Sequence, residues 1–396
     1  MEALEPLEQR QRTSTLKRKT TIGLPVVNSI EDHRFPLTPE GAGMLVERGF
    51  RVLMESGAAE HIHYTDAAYA RCGVEICTRT EALGCDMVIY LPMLSVADAL
   101  KLRRCAMLFT FVQARPDDRG ALAVLLQRRI VTISIERIAD EQGNRPFADI
   151  LSEIDGRAAM AVASSLLADA IHGKGILLGG VSGIVPCEVT IIGSNMTACA
   201  AARSAIGLGA TVRMFDNNTY RLRKALDMLG PGAIGSSLHP RVLAGALRSA
   251  DIVIATDTDA RDATIDAATV ESMKRGVICF DLTGNPGEAF PSLQVVDLDL
   301  ASPSDNDPSA PGRLCYINAG NAVPRTVAMA LTNAFIATLD ENIVADNPRD
   351  MNPHSMCISG GIRHGAVFIL GRCVDPAVAR LLGVRHFDVN LFLGLS

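Results

Sequence analysis

The chain has 396 residues, of which 48% are hydrophobic and 21% charged, so it can bury two cores at the usual domain size of about 100 to 200 residues. A net charge of −6 gives no electrostatic basis for binding nucleic acid or an anionic membrane. The ten cysteines lack paired spacing, which excludes a disulfide framework and indicates reduced core residues.

The N-terminal residues 1–19 are polar and end in a basic run, so we expect a disordered arm or a strap onto a neighbouring subunit. No apolar run approaches the roughly 18 to 20 residues that cross a bilayer, and no secretory h-region is present. We therefore expect a cytoplasmic protein. Its histidines are dispersed, and His61 and His63 lack neighbouring ligands at metal-binding spacing, so no metal site is predicted.

Two blocks of alternating strand and helix patterns follow the arm. The predicted strands of the first block are Thr21–Val27, Arg51–Glu55, Asp86–Tyr90 and Ala106–Thr110, and those of the second are Val189–Ile192, Thr211–Phe215, Asp251–Ala255 and Gly276–Asp281. Because these strands are almost continuously apolar, we predict an α/β fold with two Rossmann-like, doubly wound domains, each a parallel sheet covered on both faces.

The segment Ser152–Leu167 alternates small and apolar residues at helical spacing and is predicted to link the two blocks. A glycine-rich passage, His172–Gly183, comes next. Dense glycines can cradle a phosphate, but the passage lacks the strand, GxxxxGK[ST] and helix pattern of a P-loop. A close-packed connector is the favoured interpretation.

The stretch Glu188–Asp216 reads as a strand, a tight turn at Gly193, a helix and a second strand that ends in an acid. This order is typical of a dinucleotide-binding βαβ unit, in which the helix N-terminus faces a pyrophosphate and the acid binds the adenosine ribose. Asp216 suits a free ribose diol and would repel a 2′-phosphate, so NAD is favoured over NADP. The middle glycine of the usual fingerprint is replaced by Asn195, whose side chain would lie close to the phosphates.

Several blocks of residues, in order along the chain, resemble alanine dehydrogenase, and the soluble NAD-binding part of proton-translocating transhydrogenase belongs to the same family. The matching blocks are Thr21–Pro25, His33–Gly41, Ser152–Arg157, Gly175–Gly183, Gly193–Asp216, Asn318, Ala322–Thr326 and Leu331–Asn333. The similarity runs from about residue 20 to near His364 and Gly365.

The resemblance implies a discontinuous substrate domain, residues 20–150 plus 321–396, around an NAD-binding domain of residues 151–320. A cleft would lie between them. The resemblance also implies NAD as cofactor, a small 2-oxo or 2-amino acid substrate and a homo-oligomer, commonly a hexamer. The family reaction is reversible oxidative deamination of L-alanine to pyruvate and ammonia.

Residue by residue, the resemblance assigns the substrate carboxylate to Arg34, whose fork of donors suits that task. Three further catalytic positions depart from the family. Tyr90 stands near the family lysine, Gln113 stands at a frequent histidine, and Asn285 replaces the second aspartate of D-x-x-I-D-x-G-G. Glutamine can hydrogen-bond a carbonyl oxygen but cannot exchange a proton near neutral pH.

Possible replacements for the lost groups are a proton donated by Tyr90, a carboxylate from Glu288, or Asp257 or Asp259 from a neighbouring strand end. The cofactor contacts implied by position are Ser152, Gly193, Ser194, Asn195, Asp216, Arg221 and Asn318.

Three functions stay open. The favoured one is an NAD-dependent oxidoreductase of the alanine dehydrogenase type, acting on alanine or a related 2-amino acid. The second is a catalytically degenerate relative that acts as a nucleotide-binding structural or regulatory subunit, with a homologous partner subunit. The third is a transhydrogenase-like NAD(H) carrier, which the lack of a membrane tail disfavours.

Overall fold

The computed structural model describes residues 19–27, 34–258, 264–298, 314–343 and 360–389. The apolar runs of the sequence are the strands of two sheets, and helices cover both sheets. The predicted arm, apart from residue 19, lies outside the described residues, as do His33 and Asp259. None of the helices in these ranges is long and apolar enough to cross a membrane.

The strands, in chain order, are β1 (Thr21–Leu24), β2 (Arg51–Glu55), β3 (Glu75–Cys77), β4 (Met87–Ile89), β5 (Met107–Thr110), β6 (Val131–Ser134), β7 (Glu188–Ile192), β8 (Thr211–Phe215), β9 (Ala233–Ser236), β10 (Ile252–Thr256), β11 (Ile278–Leu282), β12 (Gln294–Asp297), β13 (Leu314–Ile317), β14 (Ala366–Ile369) and β15 (Arg372–Cys373). The α-helices are α1 (Pro39–Glu47), α2 (Asp66–Arg71), α3 (Arg79–Leu83), α4 (Val96–Ala99), α5 (Arg119–Gln127), α6 (Pro146–Ala168), α7 (Met196–Gly207), α8 (Thr219–Leu229), α9 (Pro240–Ser249), α10 (Ala267–Ser272), α11 (Pro324–Ile343) and α12 (Pro376–Leu382).

The first sheet has the order β15-β14-β6-β5-β4-β1-β2-β3 within the described ranges. Strands β1 to β6 pair in parallel, and β14 joins β6 antiparallel. The chain therefore leaves this sheet after β6 and returns to it near the C-terminus. This return agrees with a discontinuous substrate domain, although the predicted domain boundaries themselves stay a prediction.

The second sheet has the order β12-β13-β11-β10-β7-β8-β9, and its neighbouring strands are parallel. The chain runs outward from β7 through β8 to β9, then crosses back to β10 on the other side. The order reverses between β7 and β10, and ligands of such sheets bind beside the carboxyl ends of the strands at that point. The predicted α/β class with two Rossmann-like sheets is confirmed.

Each sheet separates two apolar clusters, because successive side chains along a strand point to opposite faces. In β7, Val189 and Ile191 join one cluster and Ile192 the other. In the first sheet, Ile22 and Leu53 likewise lie in different clusters. This burial on both faces explains why the strands read as continuous apolar runs.

Helix α6 connects the two sheets, as predicted for Ser152–Leu167. Its first half contributes Leu151 and Ile154 to the core of the first sheet, and its second half contributes Ala159 to the core of the second. At Gly156 an added Cβ would lie 2.3 Å from the carbonyl oxygen of Thr197, so only glycine permits this approach of α6 to α7. The helix fixes the position of one sheet relative to the other.

The glycine-rich passage is a close-packed connector, as favoured from the sequence. An added Cβ would lie 1.9 Å from the carbonyl oxygen of Leu166 at Gly173 and 2.1 Å from that of Leu208 at Gly179. Within the same passage, Lys174 donates to Asp251 at 3.1 Å. Its glycines therefore allow tight backbone packing, and its lysine holds the passage to the second sheet.

Candidate functional site

The turn after β7 begins at Gly193, which has a φ of 103°. A side chain is excluded here for two reasons: the backbone is left-handed, and an added Cβ would lie 2.1 Å from Thr256 Oγ1. The same hydroxyl donates to the carbonyl oxygen of Ile192 at 3.0 Å. Bare backbone therefore stands at the switch point of the second sheet, as close approach by a pyrophosphate requires.

Asn195 is the N-cap of α7, and its Oδ1 accepts a hydrogen bond from the Ala198 amide at 3.0 Å. Its φ of −77° is ordinary for any residue, so this position does not need the conformational freedom of glycine. The replacement of the family glycine thus stabilises the helix start, since Asn is among the best N-cap residues. It also occupies one amide that would otherwise face a bound anion.

Asp216, at the carboxyl end of β8, is fully buried, and its carboxylate is held by hydrogen-bond donors. Its Oδ2 accepts from Ser194 Oγ at 2.5 Å and from Arg221 Nε and Nη2 at 3.0 and 2.8 Å. Its Oδ1 accepts from the Asn218 amide at 2.8 Å. The carboxylate therefore ties the end of β8 to Ser194 of the glycine turn and to Arg221 of α8.

Asp281, at the end of β11, organises the following loop from a fully buried position. Its carboxylate accepts hydrogen bonds from Thr283 Oγ1 at 2.6 Å and from the amides of Gly287 and Ala289 at 2.7 and 3.0 Å. Burial, and secondly the charge of Asp281, raises the pKa of the neighbouring Cys315 thiol well above its usual range. The loop is therefore shaped by the protein itself, and Cys315 is an inert core thiol.

A short series of contacts leads from the glycine turn to a cleft between the two sheets. Thr256 packs at Gly193, the next residue is Asp257, and Asp257 Oδ1 accepts from the Gly284 amide at 2.9 Å. Two residues further on, Pro286 lines the cleft. The turn that suits a dinucleotide and the cleft thus lie at the same edge of the second sheet.

The cleft has a volume of about 630 Å³, in the range of small-ligand sites. Its wall comes from strand ends of both sheets and from α6. The lining residues are Arg34, Pro92, Met93, Phe111, Gln113, Arg115, Asp118, Glu136, Ala148, Leu151, Ser152, Asp155, Pro286, Asp297, Ile317 and Asn318.

Two of the predicted catalytic residues, Arg34 and Gln113, lie in this cleft. The guanidinium carbon of Arg34 lies over the Phe111 ring, 4.7 Å from its centre, which is a cation–π contact. Gln113 follows Phe111 by two residues along the same strand end. A cation and an amide are therefore close to each other on the side of the first sheet.

Two of the predicted cofactor residues line the cleft, Ser152 from α6 and Asn318 from the end of β13 in the second sheet. Asn318 has a φ of 54°, a left-handed conformation that Asn tolerates, and its Nδ2 donates to Asp297 Oδ2 at 2.9 Å. The other predicted cofactor residues lie at the ends of β7 and β8, except for Arg221, which lies in the first turn of α8. The cofactor set is thus divided between the glycine turn and the cleft.

Tyr90 is not among the residues that line the cleft, and its part in catalysis stays a prediction. Along this strand Ile89 and Leu91 face one apolar cluster, and Tyr90 faces the other. It lines a neighbouring cavity of about 350 Å³ together with Asp98, and this cavity shares Met93 and Asp118 with the cleft. Pro92 and Met93 are the residues that this strand end presents to the cleft.

Asn285 is exposed and does not line the cleft, although its neighbour Pro286 does. Its backbone carbonyl oxygen accepts from Thr283 Oγ1 at 3.1 Å and from the Glu288 amide at 3.3 Å. The tight turn of the loop directs the proline inward and leaves both polar side chains outside. Neither Asn285 nor Glu288 contacts the cleft in this arrangement.

The sequence reasoning missed Glu136, which lines the cleft just after β6. Its Oε1 accepts from Ser134 Oγ at 2.7 Å and from the Val112 amide at 3.3 Å. The available signal was a charged residue directly after a buried parallel strand, since polar groups at such strand ends line binding sites. That signal was lost because β6 itself was not predicted.

Comparisons with known proteins agree with this geometry. A family model for the N-terminal domain of alanine dehydrogenase/PNT matches residues 27–154, and the model for the C-terminal domain matches residues 159–364. The chain is 30% identical over 319 residues to alanine dehydrogenase of Mycobacterium tuberculosis, covering 79% of this chain and 85% of that protein. It is 28% identical over 383 residues to alanine dehydrogenase of Mycolicibacterium smegmatis, covering 94% and 99%.

Solved structures show the same fold. An L-alanine dehydrogenase superposes with a TM-score of 0.75 at 24% identity, covering 92% of this chain and 99% of that one. A transhydrogenase from Sinorhizobium meliloti gives a TM-score of 0.69 at 16% identity, with coverages of 89% and 100%.

Proposed function

The chain belongs to the alanine dehydrogenase/PNT family, and we propose that it is an NAD-dependent oxidoreductase of the alanine dehydrogenase type. The reaction proposed is the reversible oxidative deamination of L-alanine, or of a related 2-amino acid, to the 2-oxo acid and ammonia. Relatives at 28 to 30% identity that bear the name alanine dehydrogenase support this class of oxidoreductase.

NAD is the cofactor of this family, and the residues at the second sheet fit it. Gly193 leaves bare backbone where the pyrophosphate would approach, and Asp216 is the acid at the end of β8, where a dinucleotide fold places the residue that binds the ribose. The bound cofactor supplies the hydride acceptor or donor. The protein must in addition bind the substrate carboxylate, orient the substrate and manage its protons.

The observation that carries the proposal is the placement of Arg34 in one cleft with Ser152 and Asn318. Arg34 is the cation predicted to bind the substrate carboxylate, and the other two are predicted cofactor contacts. A 2-oxo acid held by Arg34 would have its carbonyl oxygen within the reach of an amide such as Gln113, which can donate to it. A hydride transfer needs this proximity of substrate and cofactor.

The decisive experiment follows NADH absorbance with pyruvate and ammonia at high protein concentration, beside a reaction without pyruvate. Pyruvate-dependent oxidation of NADH is expected, slower than in relatives that keep the family lysine and histidine. A folded protein that binds NADH yet shows no pyruvate-dependent oxidation contradicts the proposal. Fluorescence titration with NADH separates this outcome from a failure to bind cofactor.

The cleft lining also favours a second candidate, a degenerate relative that acts as a nucleotide-binding structural or regulatory subunit. Pro92, Met93 and Gln113 stand where the family places a lysine and a histidine, and no lysine or histidine lines the cleft among the residues that the structure describes. Under this alternative, NADH binds without turnover. Assembly into a homo-oligomer, or with a homologous partner subunit, stays a prediction that light scattering tests.

A further inference from the structure

Glu136 is one of four carboxylates that line the cleft, with Asp118, Asp155 and Asp297, and no sequence pattern assigned it a role. Its Oε1 is fixed by Ser134 Oγ at 2.7 Å and by the Val112 amide at 3.3 Å. In contrast, Oε2 is shielded from water and has no hydrogen-bond partner within the described part of the chain. A buried carboxylate oxygen without a donor is costly, so turning the Glu136 side chain to present Oε2 to a hydrogen-bond donor in the cleft would be favoured.

Glu136 and Arg34 are anchored to consecutive residues. Arg34 stacks on the ring of Phe111 at 4.7 Å, and Glu136 accepts from the amide of the next residue, Val112. Both side chains line the same cleft. A cation and an anion are therefore held beside one short segment of the first sheet.

This pair of charges matches a 2-amino acid, which carries a carboxylate and an ammonium group on one carbon. The carboxylate suits the guanidinium fork of Arg34, and the ammonium suits a carboxylate that lacks a donor. A 2-oxo acid has the first group and lacks the second. Glu136 would therefore discriminate the amino acid from its oxidised product.

We infer that Glu136 binds the ammonium group of the substrate and accepts its proton, an inference that rests on the proposed function. As the proton passes to Oε2, an N–H bond breaks and a carboxyl O–H bond forms. The nitrogen lone pair then forms the C=N bond as the Cα–H bond breaks, and the hydride passes to NAD⁺, which is the oxidant. Gln113 cannot take this role, because an amide does not exchange a proton near neutral pH.

The test compares the full-length protein with Glu136→Gln. The amide oxygen of glutamine can still accept from Ser134 and Val112, so the strand end is preserved while the charge is lost. Dissociation constants for L-alanine and for pyruvate are measured by calorimetry with NADH present and ammonia absent. We expect the affinity for L-alanine to fall about 10- to 100-fold and that for pyruvate to change less than about two-fold.

Ser134→Ala is the matched control, because it removes the 2.7 Å hydrogen bond and keeps the charge. It should retain most of the preference for L-alanine. If Glu136→Gln lowers the affinity for L-alanine and for pyruvate equally, Glu136 only shapes the cleft and the inference is overturned. Unchanged affinity for L-alanine would also overturn it.

The wild-type protein gives a second readout that does not depend on the folding of a variant. L-alanine should bind at least about ten-fold tighter than propionate, which has the carboxylate without the ammonium. Equal affinities would overturn the inference and leave the proposed function standing. A wild-type protein that binds neither L-alanine nor pyruvate would overturn both.

Discussion

The carboxyl ends of the two sheets differ in how completely the protein satisfies its own polar groups. At the second sheet, Asp216 accepts four hydrogen bonds and Asn195 caps its helix. At the first sheet, Glu136 leaves one oxygen without a donor in the described ranges. The cofactor end is therefore shaped before a ligand arrives, and the substrate end needs a ligand to complete its hydrogen bonds.

The largest expected effect is on the substrate side, at Arg34. Arg34→Met should lower the affinity for pyruvate about 100- to 1000-fold, because it removes the bidentate hydrogen bonds and leaves the substrate carboxylate desolvated without a cation. Arg34→Lys should recover only part, since an ammonium lacks the planar fork that stacks on Phe111. Calorimetry with pyruvate in the presence of NADH measures both. A parallel loss of NADH binding would show that Arg34 supports the whole cleft.

Gly193→Ala tests whether the cofactor end is rigid. The new Cβ meets Thr256 Oγ1 at 2.1 Å on a left-handed backbone, so NADH affinity should fall about 30- to 100-fold, with about 2 kcal/mol of stability lost. Gly207→Ala is the matched control: it lies in the same loop-helix unit, meets no atom within 4 Å, and should stabilise α7 by about 0.5 to 1 kcal/mol. NADH fluorescence and urea unfolding report the two effects. Similar behaviour of both variants would contradict a rigid turn.

The ion pair between Arg79 and Asp98, beside the cavity that Tyr90 lines, tests whether paired charges also stabilise the first sheet outside the cleft. The Arg79 guanidinium, 2.7 Å from Asp98, holds the pKa of that carboxyl at about 2, below its usual value. Because the folded pKa is the lower one, the stabilisation is present above the unfolded pKa of about 3.9 and is lost as the pH falls towards 2. Asp98→Asn should therefore cost about 1 to 2 kcal/mol at pH 7 and little near pH 2. Urea unfolding at both pH values measures this, and a pH-independent cost would contradict it.

The sequence predicted the cofactor end better than the cleft, for physical reasons visible at particular residues. The unit from β7 to Asp216 lies on one continuous stretch, where apolar runs, a glycine and a terminal acid stand at fixed spacing. The cleft is assembled from segments that are distant in the sequence, and a residue lines it only if its side chain faces the cleft. The sequence did not show that Tyr90 faces a different apolar cluster from Ile89 and Leu91, and Glu136 was missed because β6 was not predicted.

The position of Tyr90 outside the cleft lining leads to a prediction about activity. Met93 and Gln113 line the cleft, so Met93→Lys with Gln113→His should raise pyruvate-dependent NADH oxidation about ten-fold or more by restoring a cation and a proton-exchanging group. Tyr90→Lys is the control, because it places an ammonium in an apolar cluster and should destabilise the protein without raising the rate. Comparable rates for both variants would contradict the placement. The comparison also decides whether the absence of a lysine and a histidine from the cleft lining limits the rate of pyruvate-dependent NADH oxidation.

The smallest expected effect is at Asn195, whose side chain satisfies an amide that could otherwise bind the cofactor. Asn195→Gly removes the acceptor of the Ala198 amide, which then becomes available to a phosphate oxygen. Glycine at an N-cap costs only a few tenths of a kcal/mol, so NADH affinity should rise about two- to five-fold with nearly unchanged unfolding. Asn195→Ala loses the cap at a cost of about 1 kcal/mol and separates stability from binding. If Asn195→Gly binds NADH more weakly than the wild type, the asparagine side chain is itself a cofactor contact, and the departure from the family glycine has preserved binding by a different donor.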